Sequence, residues 1–421
     1  MGKLFVTSIS FVIMSVFLIG CKIATEDDAS SQKMLIQNDA SVLVNRVTYS
    51  NTPIEILPVS DAISEKPAMA PKDPSVTLTL VAEVASPSID AVTLQASEIS
   101  IHGSKAYVTY NKSGEVYLGA IEIYDISDTS SPSLVSSATF SDTDINAVTV
   151  HGSDLYLAAA SSDVNLASPS LLKHIALSGG LLTDTVVDVD LSSYSATSVT
   201  TKGSSIYVTV GAASGAIIEI DQSDFASQTK YDIDDARDIT TDGSDLAVIA
   251  GTNGVDGASA KLLTFNGDIS SNTGSFDVSG ASIEFSKSTI EIVKDMAVLA
   301  TGDGGTQIVC LTDGALLKQI ANPVVAGLSD SLTVANAATA DRRSLFMANG
   351  EAGVYVAVAD SNLNSASCDV DDLSVLGKLE LNDYLLDDEG NHQSVNHIVY
   401  KSGVLFVAAG LGGIKIISVD D

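Results

Sequence analysis

The sequence predicts an all-β fold: a seven-bladed β-propeller with four-stranded blades, its ring closed by an N-terminal strand. Three observations predict it. A phrase recurs, "IHGSKAYVTY" at 101–110 and "VHGSDLYLAA" at 150–159. From about residue 75 onward, short β-rich runs alternate with turns of Gly, Ser and Asp, with no helical periodicity. The final copy stops one strand short at Asp421, while "TLTLVAEVA", beginning at Thr77, reads as an outer strand with no blade before it. Joining the two closes the ring and covers edges that an open array would expose.

Residues 1–20 read as a signal peptide. Met1-Gly2-Lys3 supplies a positive start, and Leu4 to Ile19 is mostly apolar but too short and wrongly flanked to span a membrane. The end of this run, Leu18-Ile19-Gly20-Cys21, resembles the lipobox of bacterial lipoproteins. The resemblance implies cleavage before Cys21, a diacylglycerol on its sulfur and a further acyl chain such as palmitate on its amine. Several acyl chains make a stable membrane anchor. Lys22 stands where an Asp would favour retention in the inner membrane, so the expected address is the outer membrane or cell surface. Residues 21–74 read as the lipidated cysteine and a flexible tether, from "EDDASSQK" and the prolines at 53, 58, 67, 71 and 74. Such a tether spans about 40 Å. Within it "SVLVNRVTY" at 41–49 suggests a short strand.

Residues 75–421 form the propeller. The second strand of each blade is marked by Ala106-Tyr107-Val108, Leu155-Tyr156-Leu157, Ile206-Tyr207-Val208, Leu246-Ala247-Val248, Met296-Ala297-Val298, Leu345-Phe346-Met347 and Leu405-Phe406-Val407. Gly-Ser pairs at 103, 152, 203 and 243 precede the first four, as hairpin turns require. Third strands follow, such as "AIEIYDI" at 120–126 and "TQIVCL" at 306–311, then a more polar fourth, such as "SLVSSATF" at 133–140. Four short strands in every 40–60 residues or so is the pattern of a propeller blade.

One stretch carries a family resemblance. "AIEIYDISDTSSPSLVSSATF" at 120–140 resembles the LVIVD repeat of bacterial cell-surface propellers, in which a strand runs into Asp-Ile-Ser-Asp, a Ser/Pro turn and the outer strand. Only the first blade shows the full phrase. The resemblance implies a cell-envelope β-propeller and supplies no catalytic residues.

Composition narrows the function. With 21 Lys+Arg against 53 Asp+Glu, the net charge is −32, which argues against a nucleic-acid partner. His102 and His151 recur, but later copies place Lys202 and Asp242 at the same point, so they read as turn residues. The best site lies where the inner strands begin. Aligned there are Glu98, Ala147, Ser198, Asp238, Ser288 and His397, each preceded by Ser97, Asn146, Thr197, Arg237, Lys287 and Asn396; the sixth copy aligns poorly. A ligand-binding ring of Glu98, Asn146, Arg237, Asp238, Asn396 and His397 at the channel mouth is the expectation. The acidic clusters at 232–238, 368–373 and 382–391 lack the spacing of a calcium loop, and no cofactor or metal is called for. Cys310 and Cys368 are either bridged or two separate thiols; spacing leaves both open. No nucleophile elbow, zinc-hydrolase motif or phosphate loop appears. The expectation is a lipid-anchored, non-enzymatic scaffold that binds an envelope protein or glycan. The alternative is a metal-assisted hydrolase or lyase using Glu98, Asp238 and His397.

Overall fold

The computed structural model describes residues 33–58, 76–114, 116–211, 215–255, 257–283, 286–381 and 393–420. The expected signal peptide, Cys21, residues 22–32 and 59–74 of the expected tether and the acidic cluster 382–391 lie outside them.

Seven antiparallel sheets form seven blades. Their inner strands are Gln95–His102, Thr143–His151, Ala196–Lys202, Ala236–Thr241, Thr289–Val293, Ala337–Asp341 and His397–Lys401. Each blade then runs outward through three more strands in sequence order, except the seventh. There Ile414–Asp420 pairs with Thr77–Val84, so the N-terminal strand completes the last blade as the sequence predicts. Seven apolar clusters hold the ring, one at each blade-to-blade interface. This packing explains the repeat: a single blade leaves both faces bare, and only stacking against two neighbours buries them. Where the repeat supplies Gly-Ser, Gly103, Gly152 and Gly203 adopt the left-handed φ of the turn, near +60°. Where it does not, Lys294, Arg342 and Ser402 adopt it themselves.

The tether expectation needs correction over 34–57. We label four N-terminal strands β1 (Met34–Gln37), β2 (Val47–Ile54), β3 (Ile56–Leu57) and β4 (Thr77–Val84). The first three add a fifth strand to blades 1, 7 and 6 respectively, by pairing with Ser133–Phe140, β4 and Leu373–Leu379. Pro53 is tolerated in β2 because that strand is outermost, where a missing N–H costs no ladder bond. Leu43 is buried at 2 % exposure in the cluster between blades 7 and 1. Arg46 reaches inward to Glu122, which is fully buried. Glu122 also accepts from Tyr110 Oη (2.7 Å), Tyr124 Oη (2.6 Å) and Ser137 Oγ (3.2 Å). The stretch is therefore a strap across the seam where the two chain ends meet. The short strand expected at 41–49 is instead a helical turn over Ala40–Leu43 and Val44–Arg46, and β2 begins only at Val47.

Cys310 and Cys368 form a disulfide with Cα atoms 5.0 Å apart. It joins the end of the third strand of blade 5 to the loop before the outer strand of blade 6.

Candidate functional site

The inner strands enclose a central channel with a cavity of about 710 Å³. Of the six predicted ligand residues, Glu98, Asp238 and His397 line it; Asn146, Arg237 and Asn396 do not. The difference is a backbone effect. In the first four blades the residue before the channel position is the extra residue of a β-bulge, and a bulge re-aims its side chain. Ser97, Asn146, Thr197 and Arg237 therefore point sideways into the next blade.

There they make a regular set of latches. Ser97 Oγ donates to the Ile145 carbonyl (3.1 Å), Asn146 Nδ2 to Ala196 (2.8 Å) and Thr197 Oγ1 to Ala236 (2.9 Å). Asn336 Nδ2 donates to the Val395 carbonyl (2.9 Å) and Asn396 Nδ2 to Ala96 (2.9 Å), closing the ring. Arg237 donates to the Ser286 carbonyl (3.1 Å) and is held by a two-point pair with Asp235 (2.9 and 3.1 Å). Between blades 5 and 6 the carbonyl of Ala335 accepts instead from the backbone of Gly302 (2.9 Å). That seam is also the one the disulfide crosses.

The channel side chains do the complementary task. An inner strand presents unpaired amides to the channel, and a buried unpaired amide is costly. Asp238 accepts from Ile290 N (2.8 Å), its own neighbour Ile239 N (2.8 Å) and Ser198 Oγ (2.5 Å). His397 Nδ1 accepts from Ile99 N (3.3 Å), and Glu98 accepts from the Val148 amide. One layer deeper, Glu291 accepts from Ala340 N (3.1 Å) and Thr339 Oγ1 from Tyr400 N (3.1 Å). Apart from the Ile239 contact, a side chain on one blade caps an amide of the next.

Burial sets the electrostatics. Desolvation pushes the carboxyl of Glu98 up to about 7, with Lys287 opposing and Asp238 adding to the rise. Desolvation likewise pushes Glu291 up to about 7 and raises Asp238. The imidazole of His397 is held well below its ordinary range, first by burial and then by Lys287. A neutral imidazole is what its Nδ1 needs to accept the Ile99 amide. Among the described residues no group of three His, Cys, Asp or Glu is placed to hold a metal ion.

The fifth blade corrects the alignment by one residue. Its hairpin closes at Val293 and Met296, so Ile290 pairs with Leu299 as Ile99 pairs with Val108 and Ile398 with Val407. Thr289, not Ser288, therefore takes the channel position, and Ser288 the position before it. Lys287 falls one step earlier and spans the mouth to blade 1, donating to Ser97 O (2.8 Å) and Glu98 Oε2 (3.1 Å). Sequence reasoning also missed Asn336, although Asn336-Ala337 repeats the Asn146-Ala147 pair, and Glu291, which lies beyond the aligned position.

No protein-family model matches the chain, and no curated protein matches it. Among solved structures it is similar to U3-55K, at 10 % identity over 79 % of this chain and 97 % of that one, with a TM-score of 0.52. The WD40 beta propeller domain of Doa1 aligns at 9 % identity over 80 % and 95 %, with a TM-score of 0.48. BamB from Moraxella catarrhalis aligns at 10 % identity over 88 % and 97 %, with a TM-score of 0.44. At such identities likeness speaks to the fold alone.

Proposed function

We propose that this propeller is a lipid-anchored envelope scaffold that binds a protein or glycan partner without catalysing a reaction. The single observation that carries the reading is where apolar side chains are exposed. In every blade, the loop between the second and third strands and the link to the next blade emerge on one face, the connector face. Val164 (94 % exposed), Val324 (79 %) and Tyr194 (68 %) stand on it, with Val116, Val255 and Leu332. The hairpin face offers Leu316, while the strap and the outer strands carry Leu35, Val42, Val44, Tyr49, Leu57 and Val187. Of the two faces the connector face is thus the more apolar, which is the property an interaction surface needs.

The leader and the resemblance of 120–140 to LVIVD repeats support the envelope address. The channel arrangement supports the absence of catalysis, since the lone pairs of Glu98, Asp238 and His397 are directed at amides of neighbouring blades. The metal-assisted hydrolase or lyase is not favoured by any feature of the channel.

Position-specific photo-crosslinking in cells tests the reading. A cross-linking residue at Val164, Tyr194 or Val324 is expected to give one discrete adduct, and the same residue at Ser104 or Ser153 on the hairpin face none. Adducts from the hairpin face alone would contradict it. Cys21→Ser in the same strain is expected to release the protein from the membrane fraction.

A further inference from the structure

We propose that the connector-side channel mouth is a cradle for a primary ammonium group, that Lys287 fills it from within the chain, and that a lysine side chain of a protein partner displaces Lys287 on binding. The inference rests on the connector face being the binding face.

The residue at this point of the repeat is otherwise apolar. Ala96, Ile145, Ala196, Ala236, Ala335 and Val395 hold it in the other six blades, all fully buried. Lys287 alone is charged there, and it is not turned to its neighbouring blade. Its ammonium crosses the mouth to the Ser97 carbonyl and the Glu98 carboxylate on blade 1. A backbone carbonyl and a carboxylate, with Asp238 nearby, are what an alkylammonium ion needs: oxygen acceptors with a net negative field. A neutral His397 adds no opposing charge. Both acceptor oxygens belong to blade 1 and stay in place without Lys287, while the buried Glu98 needs a cation beside it, so Lys287 stands in for an occupant.

Access favours exchange. The Lys287 side chain is 27 % exposed, and it lies where the inner strands begin, on the connector side. A four-carbon stem swings without backbone movement, and a lysine of equal length would find the same two oxygens. The net charge of −32 draws cationic partners toward the body.

The test uses the mature protein and three variants, with n-butylammonium and Nα-acetyl-lysine amide as probes and tetramethylammonium as a cation that donates no hydrogen bond. By calorimetry, Lys287→Ala is expected to bind both primary amines at least tenfold more tightly than wild type, and tetramethylammonium no better than wild type. Lys287→Ala combined with Glu98→Gln is expected to lose the gain. Equal binding by wild type and Lys287→Ala, or a gain that survives Glu98→Gln, would overturn the cradle. Binding of n-butylammonium without the lysine amide would overturn the partner lysine. Should Lys287→Ala fail to fold, Lys287→Ser is equally short, leaves the seat open and is read in the same way. The cross-linking outcome is independent of these results, so the two readings fail separately.

Discussion

Replacing Cys310 and Cys368 together with serine is expected to lower the unfolding free energy by about 4 kcal/mol, the chain-entropy value for closing a loop of 58 residues. The loss has a specific address. At the seam between blades 5 and 6 the side-chain latch is replaced by the Gly302–Ala335 backbone bridge, and the disulfide is the covalent tie at that seam. Hydrogen exchange is therefore expected to accelerate first in Thr289–Val293 and Ala337–Asp341, the inner strands on either side. Denaturant unfolding with and without reductant reads the total. A change below about 1 kcal/mol would mean that the apolar cluster alone holds the seam. Such a tie requires an oxidising compartment, which accords with the proposed envelope address.

Arg46→Ala is expected to cost on the order of 3 kcal/mol, because it leaves the buried carboxylate of Glu122 without its cation. Tyr110, Tyr124 and Ser137 still donate to Glu122, which moderates the loss. The effect should fall on ring closure. Arg46 follows β1 and precedes β2, and β2 covers β4, the strand that completes blade 7. Arg46→Lys keeps a charge but loses the fork, and should sit between wild type and alanine. Combining Arg46→Ala with Glu122→Gln should recover part of the loss, since no charge is then stranded. Full additivity of the two changes would show that the pair is not coupled.

The sequence made the ring legible because its signal is repeated. Seven second strands, seven glycine-marked or turn-marked hairpins and a missing last strand all express one blade geometry. The strap was less legible because 34–57 occurs once, so no second copy confirms its period, and Pro53 there reads as linker until its edge position is known. The channel was half legible. Aligning the copies found Glu98, Asp238 and His397, but alternation could not reveal the bulges that turn Asn146 and Arg237 sideways. The fifth blade slipped by one residue because "MAVLA" is apolar throughout and fits two registers equally. Polar residues at a channel mouth look like a binding site in sequence. In this fold their first duty is to satisfy amides and carbonyls of the neighbouring blade.

The measurement that tests this claim most directly compares Glu291→Gln with Glu291→Ala across pH. Glutamine keeps an acceptor for the Ala340 amide, and alanine removes it. Burial lifts Glu291 from 4.5 to about 7, so the folded state prefers its protonated form. The stability this group contributes is present below pH 4.5 and is lost as pH rises through about 7, roughly 3 kcal/mol in all. At pH 5, glutamine should match wild type, while alanine should fall by about 2 kcal/mol with faster exchange of the Ala340 amide. At pH 8, glutamine should exceed wild type. Glutamine as damaging as alanine at pH 5, or declining with pH as steeply as wild type, would contradict the account.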